Sequence, residues 1–162
     1  MKKPIGVIAY LISALFAAAQ NTPEEEVKAV IGTLFKGMQL GDSAMVRSTF
    51  SGDVQFATIG VGKDGVTFRH VVQSAAPFLN AVGTPHGEAW NEEIWNLKIS
   101  IDGNLAQAWC DYAFYVGKRF SHCGADAFLL HKDKSGWKIF HLADTRRTSS
   151  CMVPKEIEEK YK

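Results

Sequence analysis

The chain has 162 residues, of which 46% are hydrophobic and 22% are charged. Its 18 Lys and Arg residues nearly balance its 17 Asp and Glu residues, and the basic residues are scattered along the sequence. A nucleic-acid-binding domain normally gathers a basic excess on one face, so this composition argues against nucleic acid as a partner. The length suits one domain with one hydrophobic core.

Residues 1–19 have the pattern of a secretory signal peptide. Lys2 and Lys3 precede an apolar stretch, and small residues ending at Ala19 precede Gln20. The apolar run reaches only about 15 residues, whereas a membrane span needs about 20. We therefore expect cleavage near Ala19 and an exported domain, periplasmic or secreted, that comprises residues 20–162 and has no stable membrane anchor.

The residues from Thr22 onward predict the first helix. Thr22 is a favourable N-cap, Pro23 suits the first helical position, and Glu25 completes a capping box. Apolar residues then recur every three or four positions until Gly41 ends the pattern. The same spacing predicts two further helices, at residues 43–50 and about 70–82.

After Gly87 the apolar residues recur at every second position, which is typical of strands. Asp102-Gly103 and Gly117-Lys118 are candidate hairpin turns between them. The predicted strands are residues 54–59, 92–101, 105–116, 120–131 and 137–145. The predicted fold class is α+β, with three N-terminal helices packed on a strongly curved antiparallel sheet.

Three cysteines, Cys110, Cys123 and Cys151, leave at least one thiol unpaired. Strand pairing would make Cys110 and Cys123 diagonal neighbours, about 7–8 Å apart, which is too far for a disulfide. A Cys123–Cys151 bridge is therefore favoured slightly over Cys110–Cys123. Three buried free thiols are the alternative.

Strand register determines which side chains share a face of the sheet. A two-residue turn at Gly117-Lys118 would place Trp109 opposite Asp126, and the next hairpin would place Phe128 opposite His141. Because side chains alternate along a strand, one face would then carry a group of polar and aromatic residues. Its predicted members are Trp109, Asp111, His122, Asp126, Phe128 and His141, and the opposite face would carry Cys110, Tyr112, Cys123, Asp144 and Arg146.

This face has the composition of a pocket with aromatic walls and a polar floor. Asp126 or Asp111 would act as a general base whose pKa is raised by apolar surroundings, with His122 as partner acid. Trp109, Tyr115, Phe128 and His141 would contact a ligand. The alternative is structural: Asp126 and His122 would hydrogen-bond each other or the backbone.

Three segments carry a resemblance to a known family: residues 120–128 (FSHCGADAF), 136–139 (GWKI) and 144–147 (DTRR). With three helices before a long-stranded meander, they resemble the NTF2-like superfamily, whose α+β fold is also called cystatin-like. The nearest likeness is to the bacterial branch named for lumazine binding, a neighbour of the SnoaL-like proteins. In that family Asp144 and Arg146 recur, which implies a structural or dimer-forming ion pair.

The resemblance implies a cone-shaped pocket for a small, mostly apolar or heteroaromatic ligand. It leaves three functions open: ligand binding without catalysis, an acid/base isomerase, dehydratase or cyclase, and an assembly module that forms a homodimer. We expect no metal and no cofactor, because the five histidines lack the close spacing of a metal site. The run from Gly60 to Gly65 fits a dinucleotide fingerprint only in its letters, since no helix is predicted directly after it.

Overall fold

A computed structural model describes residues 21–162, so the predicted signal peptide lies outside the described residues. The described helices are α1 (Pro23–Leu40), α2 (Ser43–Thr49), α3 (Ala76–Gly83) and α4 (Lys155–Lys160). The described strands are β1 (Phe50–Val61), β2 (Thr67–Val72), β3 (Trp90–Asp102), β4 (Leu105–Val116), β5 (Arg119–Asp133) and β6 (Gly136–Thr145). Among these helices, none has both the length and the apolar sequence required to cross a membrane.

The start and end of α1 confirm the predicted capping signals. The backbone N–H of Glu25 donates to the side chain of Thr22, and the Glu25 carboxylate accepts from the backbone N–H of Thr22. Gly41 ends the helix with a φ of 67°, which favours glycine. The buried face of α1, centred on Ile31 and Leu34, packs in the main hydrophobic core on the concave side of the sheet.

The third predicted helix is wrong in its first half. Residues 67–72 form β2, in which Val72 pairs with Phe56 of β1, and α3 begins only at Ala76. Pro77 lies in the first turn of α3, where its missing N–H is harmless. Val71 and Val72, which fit the predicted helical stripe, instead pair with β1, so the N-terminal half is less helical than predicted.

The sheet has six strands in the order β2-β1-β6-β5-β4-β3. All neighbouring strands are antiparallel except β1 and β6, which are parallel. The predicted all-antiparallel, five-stranded sheet is therefore corrected to a six-stranded mixed sheet. Parallel pairing needs a long crossover, and here the whole chain between β1 and β6 provides it.

Two β-bulges shift the predicted register by one residue. The turns themselves lie where predicted, since Val116 pairs with Arg119 and Lys132 pairs with Trp137. Ser121 of β5 is then skipped in the pairing with β4, as is Phe140 of β6 in the pairing with β5. Beyond each bulge, the partners of the β5 residues on β4 and β6 are shifted by one position, so different residues of β4 and β6 share a face with Asp126 than predicted.

Helices α1 to α3 cover the concave face of the sheet. The C-terminal tail, residues 146–162, covers part of the opposite, convex face. The Cys123–Cys151 disulfide joins this tail to β5, which confirms the favoured pairing, and Cys110 is free and buried. Ile157 of α4 packs with Ala113 and Tyr115, whose ring stacks on Tyr161 with centroids 3.8 Å apart. These contacts hold the tail against β4.

Candidate functional site

A cavity of about 460 Å³ lies between the concave face of the sheet, α1, α3 and β2. Its walls are mostly aromatic and aliphatic, and its polar groups come from β1 to β6. The aromatic lining residues are Phe35, Phe56, Phe78, Trp90, Tyr112 and Phe114. The ionisable lining residues besides Tyr112 are His70, Glu92, His122, Asp126, Asp144 and Arg146.

Strand β3 reaches this cavity because its pairing with β4 is interrupted. The register shifts between Trp95 and Lys98, and Asn96 within the shift has a φ of 52°. Such irregularities bend a strand and increase its twist. The N-terminal part of β3 beyond this point carries Trp90 and Glu92 into the cavity lining.

Glu92 and Asp126 both line the cavity, and their carboxyl groups lie within hydrogen-bonding reach of each other. The side chain of Asp126 is buried, with 3% of the residue exposed, and no N–H or O–H group in the described residues donates to its Oδ2 atom. Two carboxylates cannot share a hydrogen bond without a proton, so the pair retains one.

Both carboxyl groups of this pair have raised pKa values. Burial is the main cause for Asp126, whose pKa lies well above its usual range, and the adjacent Glu92 raises it further. Burial also raises the pKa of Glu92 to about 7, and the negative charge of Asp144 adds to that increase. Near neutral pH the pair can therefore exchange a proton with a bound molecule.

Asp144 organises the mouth of the cavity. Its Oδ1 atom accepts a hydrogen bond from Thr58 Oγ1 at 2.6 Å, and its Oδ2 atom accepts one from Arg146 Nε at 2.6 Å. The hydroxyl of Tyr112 donates to the carbonyl oxygen of Thr145 at 2.9 Å and lies 3.4 Å from Asp144 Oδ2. The charge of Asp144 is thus compensated locally, unlike that of the Glu92–Asp126 pair.

His122 lies between aromatic side chains rather than beside Asp126. Its ring centroid is 5.1 Å from that of Phe114 and 5.7 Å from that of Tyr112, and its Nδ1 atom is 3.0 Å from the Ser121 hydroxyl. Burial lowers the pKa of His122, and the positive charge of Arg146 lowers it further. The imidazole is therefore neutral at pH 7 and can present a neutral donor or acceptor.

Of the seven residues predicted from sequence to form the site, the structure brings Asp126 and His122 into the cavity lining. Phe128 lies on the same face but inside the packed core, with its ring edge-on to Phe35. The expectation that Asp126 and His122 hydrogen-bond each other is not met, because Asp126 pairs with Glu92 and His122 with Ser121.

The other four predicted residues lie on the convex face. Asp111 accepts a hydrogen bond from Asn96 at 2.8 Å, and Trp109 is 51% exposed. His141 alternates with the cavity residue Leu142, and Tyr115 is covered by the C-terminal tail. The bulges at Ser121 and Phe140 explain these corrections for Trp109, Asp111 and His141, because Asp126 pairs with Cys110 and Asp144 instead of Trp109 and Ala143. Tyr115 lies on the same face of β4 as Trp109 and Asp111; its partner Phe120 is separated from His122 by the bulge at Ser121, and the C-terminal tail covers this face.

Sequence reasoning missed the residues that complete the site, which are Trp90, Glu92, Tyr112, Asp144 and Arg146. Tyr112, Asp144 and Arg146 were assigned to the opposite face, and the last two were interpreted as a surface or interface ion pair. The sequence did indicate that Asp144 and Arg146 lie together, because residues two apart in a strand share a face, here the face of Leu142. For Glu92, nothing in the sequence distinguishes it from the neighbouring Glu93.

No cluster of three or more His, Cys, Asp or Glu side chains in residues 21–162 has the arrangement of a metal site. The run from Gly60 to Gly65 belongs to the turn between β1 and β2, where the N–H of Gly62 donates to the carbonyl of Val66 at 2.8 Å. No helix N-terminus follows this turn, so it lacks the phosphate-binding geometry of a dinucleotide site.

The sequence matches no protein-family model and no curated protein. Solved structures do match it. An NTF2-like protein with a cystatin-like fold from Novosphingobium aromaticivorans has a TM-score of 0.64 and 14% identity, covering 79% of this chain and 84% of that one. An NTF2-like superfamily protein from Salmonella enterica has a TM-score of 0.61 and 16% identity, covering 80% and 94%.

This chain has the NTF2-like fold. A third NTF2-like structure, named as a candidate dehydratase from Streptomyces avermitilis, has a TM-score of 0.61 and 14% identity, covering 79% of this chain and all of that one. At these identities the likeness establishes the NTF2-like fold alone, so function must be argued from the cavity. The closer resemblance to the lumazine-binding and SnoaL-like branch stays a prediction.

Proposed function

We propose that this NTF2-like domain binds one small, mostly apolar, ring-containing molecule in the cavity on the concave face of its sheet. The observation that carries the proposal is the unfilled space of about 460 Å³ lined by aromatic side chains, by Glu92 and by the buried carboxyl group of Asp126. Protein interiors are normally packed without voids of this size, and small-molecule sites have volumes of about 300–1,000 Å³. A ligand of two or three fused or linked rings matches this volume.

The lining determines how such a ligand would be oriented. On one wall the rings of Phe56 and Phe78 are tilted by 49° with centroids 5.7 Å apart, and on another Trp90 and Phe114 pack edge-on with centroids 6.1 Å apart. Flat rings fit between such walls, because stacked and edge-on aromatic contacts are both favourable. The polar end of the ligand would lie toward the Glu92–Asp126 pair.

Acid/base catalysis is the second candidate function, and the Glu92–Asp126 pair favours it. A general acid or base works best when its pKa lies near the working pH, and burial raises the pKa of Glu92 to about 7. The candidate dehydratase named above has the same fold, which makes the chemistry compatible with the scaffold without assigning it. An isomerase, dehydratase or cyclase would use this pair in place of the predicted Asp111.

A role as a dimeric assembly module has less support. Such a role is expected of a cone filled by its own side chains, whereas this cavity is open. Homodimer formation through the convex face, where Trp109 is exposed, stays a prediction that sedimentation velocity would test.

Tryptophan fluorescence tests the binding proposal, because Trp90 lines the cavity and Trp109 lies on the other face. Flat heteroaromatic and polycyclic compounds should quench the wild-type protein and a Trp109→Phe variant alike. A Trp90→Phe variant should lose most of the response. Equal quenching in Trp90→Phe and the wild type, or no response to any compound, would contradict the proposal.

Catalysis can be tested on whichever compound binds. Deuterium exchange from solvent into the bound molecule, followed by mass spectrometry, would reveal proton abstraction. The exchange rate should fall about 10²- to 10⁴-fold in Glu92→Gln and Asp126→Asn variants and stay unchanged in Asp111→Asn. Binding without exchange would leave the domain as a carrier or sensor of its ligand.

Export is a further part of the proposal and rests on the N-terminal sequence. Expression of the whole chain in a Gram-negative host should deliver a periplasmic product that begins at Gln20 or within two residues of it. The intact mass of the periplasmic product shows whether the N-terminal residues have been removed. A product in the periplasmic fraction that still contains Met1 would contradict cleavage.

A further inference from the structure

The Glu92–Asp126 pair is acidic, its Asp126 member is buried, and neither carboxylate forms an ion pair among the described residues. We propose that the ligand of the cavity is an organic cation, a protonated amine carried on an apolar ring system, whose nitrogen binds at the Glu92–Asp126 pair. This inference rests on the proposed binding function and narrows its ligand class. It starts from Asp126, whose Oδ2 atom is buried in the cavity lining and receives no hydrogen bond from the described residues.

Among the side chains that line the cavity, none provides a positive charge dedicated to the Glu92–Asp126 pair. Asp144 at the end of β6 and Arg146 just after it face the cavity, but their 2.6 Å ion pair neutralises both. From β4 and β5 come the neutral groups of Tyr112 and His122, together with the buried thiol of Cys110 behind them. The ionisable side chain from β2 is His70, and α1, α3 and β1 contribute no ionisable group to the lining.

Once ionised, the pair would carry negative charge that no cation of its own compensates, because Arg146 is ion-paired with Asp144 and these two charges act on the pair with opposite signs. A buried carboxylate is stable when it is paired and hydrogen-bonded. In the absence of a ligand, the pair reduces its uncompensated negative charge by retaining a proton. An ammonium group provides both the charge and up to three hydrogen-bond donors, so it can replace that proton.

The walls of the cavity also suit a cation. Trp90 and Phe114 come from the same end of the cavity as Glu92, since Glu92 lies two residues from Trp90 and pairs across the sheet with Phe114. The faces of aromatic rings attract cations, Trp most strongly, and the attraction grows when water is excluded. A neutral ring-containing ligand would use these walls but would leave the buried acid without a partner.

Binding of an amine should release a proton. Burial raises the pKa of Glu92 to about 7 in the free protein, and a bound cation would favour the ionised carboxylate. An alkylammonium with a pKa of about 10 stays charged over this range. Affinity for the amine should therefore rise as pH increases from 5.5 to 8, by up to roughly tenfold per pH unit below 7.

Three probes of the same shape separate charge from ring binding: 2-(1-naphthyl)ethylamine, 2-(1-naphthyl)ethanol and 3-(1-naphthyl)propanoate. Isothermal titration calorimetry at pH 8 should give an amine affinity at least tenfold above that of the alcohol, with the carboxylate weakest. Repeating the amine titration at pH 6, where the pair still holds the proton to be displaced, in buffers of different ionisation enthalpy should reveal proton release. The alcohol should bind with less than threefold change between pH 5.5 and 8.

Variants then locate the preference. Glu92→Gln and Asp126→Asn should each reduce the ratio of amine to alcohol affinity to near one, whereas Asp111→Asn on the convex face should keep the wild-type ratio. If a variant fails to fold, the pH dependence and proton release of the wild type still decide the inference. Equal binding of amine and alcohol would overturn the cation inference and keep the proposed binding function. No binding of any flat compound, neutral or charged, would overturn both.

Discussion

The ring of Tyr112 on β4 crosses β5 directly over Gly124. A Cβ atom placed on Gly124 would lie 2.7 Å from Cε1 of Tyr112 and 1.8 Å from the carbonyl oxygen of Thr145. The absence of a side chain at Gly124 therefore lets the Tyr112 hydroxyl reach across one strand to Thr145 and Asp144 on β6. Gly124 in the FSHCGADAF segment therefore makes possible the contact between two residues of the cavity lining, Tyr112 and Asp144.

Replacing Gly124 with alanine should therefore destabilise the domain. The added methyl group would meet backbone that cannot move aside cheaply, so we expect a loss of about 1–3 kcal/mol or more in the free energy of unfolding. Gly32→Ala is the matched control, since a Cβ atom at Gly32 meets nothing within 4 Å and lies on an exposed helical position. That change should stabilise by about 0.5–1 kcal/mol. Urea unfolding measures both, and equal effects would contradict the close packing.

The raised pKa values of Glu92 and Asp126 predict a pH dependence of stability. These carboxyl groups titrate near their ordinary values in the unfolded chain and at higher pH in the folded one, so the folded state binds more protons between about pH 4 and 7. Their contribution to stability therefore falls as pH rises through that window. The lowered pKa of His122 has the opposite effect, so a comparison of two proteins is needed.

The appropriate comparison is Asp126→Asn against the wild type. Asparagine carries no proton equilibrium, and the contribution of His122 is common to both proteins. The variant should gain stability relative to the wild type as pH increases from 4.5 to 7.5, measured by urea unfolding at several pH values. Parallel stability curves over this range would show that Asp126 is not held in its protonated form by the fold.

The cysteines make a prediction about thiol chemistry. Burial raises the pKa of the Cys110 thiol, and the nearby Asp126 raises it further, so this thiol should be unreactive in the folded protein. Iodoacetamide at pH 8 should label no cysteine in the native oxidised protein, one after denaturation, and three after reduction and denaturation. Labelling of all three without reduction would exclude the bridge between Cys123 and Cys151.

The same disulfide should stabilise the fold. It closes a segment in which the two cysteines are 28 residues apart and holds the tail against the convex face. A Cys123→Ala/Cys151→Ala double variant should lose about 2–4 kcal/mol in the free energy of unfolding. Dithiothreitol should produce a similar loss in the wild type and none in the double variant.

Replacing Arg146 should change the pKa of His122 but should change the free energy of unfolding only a little. Its ion pair with Asp144 is short, but 56% of the Arg146 side chain is exposed, so the pair should contribute only about 0–1 kcal/mol. Removing its positive charge in Arg146→Gln should raise the pKa of His122, because that charge is one cause of the lowered value. An NMR titration of the imidazole measures this, with Arg147→Gln as the control. Identical His122 titrations in all three proteins would contradict the coupling.

The sequence by itself determined the features that depend on neighbouring residues. The capping box at Thr22, the glycine stop at Gly41, and the positions of the hairpin turns were all predictable, because each is decided by contacts within a few residues. The α+β class and the resemblance to the NTF2-like fold followed from the order of these elements. The Cys123–Cys151 bridge, which the structure contains, was favoured because Cys110 and Cys123 would be diagonal neighbours too far apart for a disulfide.

Tertiary structure decided which side chains form the site. The pairing of Val71 and Val72 with β1 made a strand of the first part of a predicted helix, and the bulges at Ser121 and Phe140 changed which residues of β4 and β6 share a face with Asp126. No local pattern marks either bulge, because a bulge is a property of two strands and of how well they pack together. The partnership of Glu92 with Asp126 arises in the same way, since it requires β3 to bend over the cavity and bring together two carboxyl groups from separate strands.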